Sequence, residues 1–416
     1  MTTIDTEPGV LSDDTVVAGS ARLLAAYEAG SSFLFSGPRG VLLARGVAAT
    51  MPKTRCSREQ LPQQMREFLD GAVEFGRRNP MVVGAVPFGA DLPAHLVLPE
   101  EVVRAEPLNV LVPQRHSVAG PEFEVRSVPG PEEYERGVER LLRRMERGEL
   151  SKAVLARSLE LTPSEPVDVR GMLRSLALAD PASYTFAVDL PRRGEDGTRD
   201  SFGPQPALSR TFLGASPELL VSRRGTSVRS NPMAGSRPRS DDPAEDRRRA
   251  AELSESEKDH REHAAVVEAV AEALRPYCSE LHVPQAPSVV STNAMWHLAT
   301  EISGELRDPA TTSLELADAL HPTPAVCGTP PDRARSAIAE TEPFERGYYA
   351  GMVGWCDADG DGEWVVAIRC ADVEDESLRL FAGAGIVAGS EPAEELAETT
   401  AKFRTALSAM GLEQAF

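Results

Sequence analysis

Residues 351–387, "GMVGWCDADGDGEWVVAIRCADVEDESLRLFAGAGIV", constrain the fold more than any other stretch of this chain. Apolar, β-branched and aromatic residues gather there in short blocks, separated by acidic turns. The spacing predicts three strands. Strands joined so tightly pair antiparallel, because a parallel pairing needs a crossover of about a dozen residues or more. The first turn, "DADGDGE" (357–363), begins like a calcium loop with Asp357, Asp359, Asp361 and Gly362. The twelfth position of such a loop needs a bidentate Glu, and Ile368 stands there. The strand-like flanks and the Asp-Gly pairs make it a hairpin turn instead.

The same pattern recurs upstream. "SSFLFSGPRGVLLARGVA" (31–48) predicts a hairpin about its Pro-Arg-Gly turn, and 80–90 predicts a strand. "PEEYERGVERLLRRMERGEL" (131–150) is an amphipathic helix, with Val138, Leu141, Leu142 and Met145 on one stripe. A strand follows at 152–161, a helix around 169–179, and a strand at 183–190. Residues 191–209 are rich in charge, Gly and Pro and read as a surface loop. One strand then runs through "RTFLGASPELLVSRR" (210–224). Residues 237–277 begin irregular and become one long helix, 287–306 return to strands, and 391–411 form a final helix. Residues 1–15 read as disordered, leaving a single domain over 16–416. Strands in hairpins, interrupted by helices, predict an α+β fold with mostly antiparallel sheet.

Composition narrows the partners. With 416 residues, 41% of them hydrophobic, the chain can bury a large core. It has no run of about eighteen apolar residues, so no membrane span is expected, and its acidic start lacks the pattern of a signal peptide. The five cysteines are scattered without a C-x-x-C spacing, which argues against a zinc site and for a reducing, cytoplasmic setting. A formal net charge of −20 argues against nucleic-acid binding. An anionic ligand would need a locally positive pocket or a bound cation.

Four places can carry chemistry. "FAGAGIVAGSEPAEELAETTAK" (381–402) joins a Gly-rich turn, which favours an anion, to a helix bearing Glu391, Glu394, Glu395 and Glu398 before Lys402. Their spacing of three or four puts them on one face. That face is either a solvated acidic surface or, beside a buried glycine segment, a site where two carboxylates hold Mg²⁺ for an anionic ligand. "HREH" sets His260 and His263 one turn apart, but no third ligand is near enough to make a zinc site. Lys152 opens an apolar strand, as an exposed strand end or as a base whose pKa falls by burial. Glu218, between "GASP" and "LLV", is either a packed turn residue or a buried general acid.

The ordered blocks "KAVLARS", "FLGASPELLV", "NPMAGSRPR", "SEKDHREHAAVVEAV", "MWHLAT", "LHPTPAVCGTP", "ETEPFERGYYAGMVGW", "GEWVVAIRCA" and "FAGAGIVAGSEPAEELAETTAKF" resemble the chorismate-utilising enzymes, over about residues 30–411. The likeness is closest to isochorismate synthases, particularly those of catecholate siderophore synthesis. It implies large antiparallel sheets packed face to face with helices outside. It implies that chorismate gains water at C2 and loses its C4 hydroxyl. Lys152 then matches the base that activates water, and Glu218 the acid that protonates the leaving hydroxyl. Glu262 and Glu398 match Mg²⁺ ligands, with Glu395 near the metal. Gly235, Ser236, His297, Ala325, Tyr349, Arg369, Gly383, Gly385 and Lys402 fall at substrate-lining positions. The backbone around Gly383–Gly385, with Arg369 and Lys402, would receive one carboxylate and the metal the other. Ala234 stands where covalent aminodeoxychorismate synthases carry a lysine. Lys152 stands where anthranilate synthases have Gln, so water rather than ammonia is the expected nucleophile. The resemblance thus implies a monomer with no amidotransferase subunit. Salicylate synthase, menaquinone-pathway isochorismate synthase and a catalytically degenerate paralogue are the alternatives.

Overall fold

A computed structural model describes residues 13–30, 32–52, 60–89, 92–108, 123–192 and 210–412. Among these residues the strands form three sheets, with antiparallel pairing throughout. In the first sheet, Lys152–Pro163, Ser377–Val387, Cys370–Glu374, Arg210–Ser216, Tyr184–Leu190, Ser32–Gly37 and Gly40–Arg45 lie side by side in that order. In the second, Ser227–Asn231, Leu219–Arg224, Gly362–Val366, Met352–Asp357 and Met81–Val86 form the middle. A small third sheet joins Met233–Pro238, Met295–Ala299 and Ser288–Ser291.

Strict alternation sends the strands' apolar residues to two cores. Phe33, Phe35, Phe186, Val188 and Phe212 face Val83, Val221, Val353 and Trp364 of the second sheet. Their neighbours Leu34, Ala187 and Leu213 face the other way, onto helices Asp13–Ala25, Val169–Ala179 and Pro392–Ala409. Helices Leu61–Glu74, Glu257–Leu274 and Ser313–Leu320 contribute Met65, Leu274 and Leu314 to the first core. Two large antiparallel sheets face each other with helices outside, the α+β architecture expected.

Several local expectations differ. The segment 210–224 is two strands, one in each large sheet, separated by Pro217 and Glu218. Residues 351–387 hold four strands rather than three, because the chain leaves the second sheet after Val366 and enters the first at Cys370. These two crossings lie side by side: Val366 N donates to Glu218 O at 3.1 Å, and Ala215 N to Arg369 O at 3.2 Å. The helical part of 237–277 is two helices, Pro243–Glu255 and Glu257–Leu274. Ser256 separates them with an extended backbone, and its hydroxyl caps the second by accepting from Asp259 N. A helix spans Asp13–Ala25, and residues 1–12 and 193–209 lie outside the described residues. The "DADGDGE" segment is the turn between Met352–Asp357 and Gly362–Val366, as expected, and its Asp357 and Asp361 carboxylates accept from Asp361 N, Gly225 N and Arg223.

Candidate active site

A cleft of about 170 Å³ opens at the end of the sandwich where the two crossings meet. Glu218, Gly235, Ser236, Glu262, His297, Ala325, Tyr349, Arg369, Gly383, Gly385, Glu395, Glu398 and Lys402 all line it. Lys152 reaches it through Glu262, with Nζ 2.8 Å from Glu262 Oε1. The structure therefore gathers the residues expected to act on substrate or metal into one cleft. Glu391 and Glu394 are the exceptions on the last helix: both are exposed. The helix turns Glu395, Glu398 and Lys402 inward and anchors them with Phe403, which is fully buried. Burying such a ring contributes about 1.5–3 kcal/mol. A larger cavity of about 910 Å³ lies elsewhere, among Arg39, Arg104, Trp355 and Glu363, and holds none of these groups.

Glu218 is fixed by its place between two strands of different sheets. Only 3% of it is exposed, and Oε1 is buried with no hydrogen-bond partner among the described residues. Burial pushes its carboxyl up to about 8, against the opposing pull of Lys152, Met233 N–H and Arg369. A group so placed carries a proton at neutral pH and has an oxygen free to deliver it.

Lys152 begins the strand Lys152–Pro163 and is 95% buried, since its relative exposure is 5%. The burial expected for it is present, but its direct partner is an anion. Burial pushes the Glu262 carboxyl up, yet the charge and hydrogen bond of Lys152 outweigh it and hold Glu262 below the usual carboxylate value. Glu398 makes the same kind of pair with Lys402 at 2.7 Å, and Lys402 also donates to Gly383 O at 2.8 Å. Glu395 is buried, which raises its carboxyl to about 7, with Ser390 opposing and Glu398 adding to the rise.

Glu262, Glu395 and Glu398 offer carboxylate oxygens only, with no thiolate or imidazole. That donor set fits a hard cation such as Mg²⁺, which takes one or two carboxylates and completes its shell with water and ligand oxygens. Two of the three acids already sit against a lysine ammonium, so the site is built around positive charge. Among the described residues no three His, Cys, Asp or Glu side chains lie close enough together to hold a metal ion by themselves, so water and ligand oxygens would have to supply the rest of its shell. The HREH histidines serve the fold: His263 Nε2 meets Thr300 Oγ1 at 2.7 Å, and His260 Nε2 meets Ser254 O at 2.8 Å.

The glycine strand forms one wall. Pairing with Cys370–Glu374 stops at Leu380, so beyond it one edge of Ser377–Val387 lacks a strand neighbour. A Cβ on Gly383 would stand 2.8 Å from Tyr349 OH, and one on Gly385 3.0 Å from Glu262 Oε1. Side chains there would fill the cleft. Opposite, Arg346 ties Ala325's loop in place. It pairs with buried Glu342 at 2.6 Å and donates to Val326 O at 2.9 Å and Val154 O at 2.7 Å.

The sequence reading missed Lys258 and Asp259, which also line the cleft. Lys258 stands one helical turn before Glu262, and that spacing was the available signal. Asp259 holds Arg237 at 2.8 Å.

The profile of the family described as "Chorismate binding enzyme" matches residues 103–411. The chain is 54% identical to isochorismate synthase DhbC of Bacillus subtilis (strain 168), over 94% of this chain and 96% of that protein. It is 42% identical to the vibriobactin-specific isochorismate synthase of Vibrio cholerae, over 92% of each. The crystal structure of DhbC from Bacillus anthracis superposes with a TM-score of 0.87 at 50% identity, covering 94% of this chain and all of that one (100%). With this cleft, this sandwich and these relatives, the chain belongs to the chorismate-binding enzymes.

Proposed function

We infer that the protein is an isochorismate synthase, an isomerase that adds water at C2 of chorismate and expels the C4 hydroxyl, in catecholate siderophore biosynthesis. One observation carries the reading: Glu218 presents a buried carboxyl, raised by that burial and with Oε1 unpartnered among the described residues, to a cleft that also holds Lys152. Glu218 gives its proton to the departing C4 oxygen. Lys152 Nζ, which must first give up the ammonium proton it shares with Glu262, takes one as the neutral amine from the water attacking C2. Arg369 and Lys402 supply fixed positive charge for the carboxylates of the dianionic substrate. Ala234 lines the same cleft without a nucleophile, so no covalent intermediate forms there. Glu262 and Glu398 would hold Mg²⁺, with Glu395 supporting them. When bound, the ion supplies Lewis-acid charge for a substrate carboxylate.

The protein needs no amidotransferase subunit and works as a monomer in the cytoplasm. Its four described cysteines, Cys278, Cys327, Cys356 and Cys370, are free and buried, as a reducing compartment allows. Among the described residues no helix is long and apolar enough to cross a membrane.

The test is incubation of purified protein with chorismate and Mg²⁺, followed by chromatography. Isochorismate is expected, with turnover lost in EDTA. Anthranilate on adding ammonium, or turnover unchanged by EDTA, would overturn the reading. Stoichiometric release of pyruvate and salicylate would make the protein a salicylate synthase instead.

A further inference from the structure

Ser236, His297 and Arg369 form a hydrogen-bonded chain along one wall of the cleft. Ser236 Oγ lies 2.8 Å from His297 Nδ1, and Arg369 Nη2 lies 2.5 Å from His297 Nε2. The direction of these bonds follows from their chemistry. A guanidinium has donors only, so Nε2 must accept. The ring proton of a neutral imidazole then sits on Nδ1 and is donated to Ser236 Oγ. The Ser236 hydroxyl hydrogen is left to point elsewhere. Both ends of the chain are therefore donors: the Ser236 O–H and the remaining Arg369 N–H groups. An imidazolium would instead set a second cation and an opposing N–H against the guanidinium. Burial, Arg369 and Lys402 all hold His297 well below its usual value, in line with a neutral ring.

The fold constructs this chain by two irregularities. Gly235, at φ +76°, lies at a register shift in the strand Met233–Pro238, and the shift sets Ser236 directly opposite His297. Arg369 itself holds φ +50° at the second sheet crossing. A non-Gly residue in that region is strained, so the surroundings must hold it there.

We propose that His297 is a positioning residue, fixed with its proton on Nδ1, that exchanges no proton with the substrate and instead aims Arg369 and Ser236 as paired donors at one substrate carboxylate. Every free end is a donor, so the group it fits is a pure acceptor. The identity of the ligand rests on the function proposed above; the proton placement does not.

The first experiment is ¹⁵N NMR of the full-length protein labelled at histidine, with the His297 signals assigned by their loss in His297→Gln. A protonated Nδ1 and a bare Nε2, unchanged between about pH 6 and 8, are expected. A proton on Nε2, or an imidazolium, would overturn the proposal. The second is chorismate binding by calorimetry in Mg²⁺. His297→Leu should weaken affinity about 10- to 100-fold, the worth of a hydrogen bond to a charged group. His297→Gln, whose amide oxygen can still accept from Arg369, should restore most of it. Loss of turnover in His297→Leu with affinity retained would place His297 on the reacting atoms and overturn the proposal. If the unchanged protein binds no chorismate, the function and the ligand fail together, while the NMR result still decides the proton placement.

Discussion

Lys152 Nζ and Glu262 Oε1 stand 2.8 Å apart, so the proposed base and a proposed Mg²⁺ ligand share one ion pair. Glu398 and Lys402 repeat the arrangement at 2.7 Å on the last helix. Glu262 and Glu398 each pair with a lysine, so these two carboxylates of the cleft are charge-balanced.

Glu262→Gln and Glu398→Gln should each weaken Mg²⁺ binding by about 100-fold or more, because a site with few protein oxygens loses an anionic one. Glu395→Gln should cost only about tenfold, the scale of an outer-shell change. Calorimetric titration with Mg²⁺ measures all three, and circular dichroism checks that the fold is kept. Stronger loss in Glu395→Gln than in Glu398→Gln would exchange their roles.

Lys152→Ala and Glu218→Gln should each lower turnover by about 10²–10⁴-fold, the scale of general acid or base help. Chorismate affinity should change much less, since neither residue is proposed to hold a carboxylate. The losses should not multiply in the double variant, because both groups serve one displacement. Near-wild-type turnover in either variant would remove that residue from the mechanism.

The pH dependence follows from Glu218. Its carboxyl is raised to about 8 in the folded protein, above its unfolded value near 4.5. Between those values the folded state binds the extra proton, so stability falls as pH rises through the window. Turnover should fall as well once pH passes about 8, since the acid loses its proton. Glu218→Gln, which cannot ionise, should therefore melt higher than the wild type at alkaline pH while remaining inactive. Thermal melts of both proteins across this range test it; a wild type that gains stability on going alkaline relative to the variant would contradict the buried, protonated assignment.

Gly383→Ala should abolish turnover without unfolding the protein. Its Cβ would meet Tyr349 OH at 2.8 Å, on the cleft side of a strand whose backbone conformation any residue accepts. Steady-state kinetics beside a melting curve separates the two effects. Full activity would mean that Tyr349 yields and the wall is softer than its packing implies.

Much of this was legible because it is local. Apolar blocks bounded by turn residues marked Ser32–Gly37 and Tyr184–Leu190, and helical spacing marked Pro131–Glu146 and the inward pair Glu398 and Lys402. What escaped was change of sheet. "FLGASPELLV" and "EWVVAIRCA" read as unbroken apolar runs because both halves are buried, and burial, not turn chemistry, dominates the pattern. The positive φ of Arg369 leaves no trace in residue type, since the third dimension imposes it. The break at Ser256 was readable: a serine three residues before Asp259 is a cap signature set inside an otherwise helical charge pattern. The acidic face of the last helix was only half right, because Glu391 and Glu394 precede the turn that faces the cleft.

The two hydrogen-bonded crossings have a mechanical consequence. Glu218 and Arg369 belong to neither sheet alone; they ride on the seam between them, whereas Lys152 belongs to the first sheet only. The distance from acid to base is thus a calliper on the gap between the layers. A small change in the interlayer gap, from mild denaturant or from the cavity left by a trimmed Phe186, resets that calliper while every strand keeps its ladder. Catalysis then fails at conditions where the sheets still give their full circular dichroism signal.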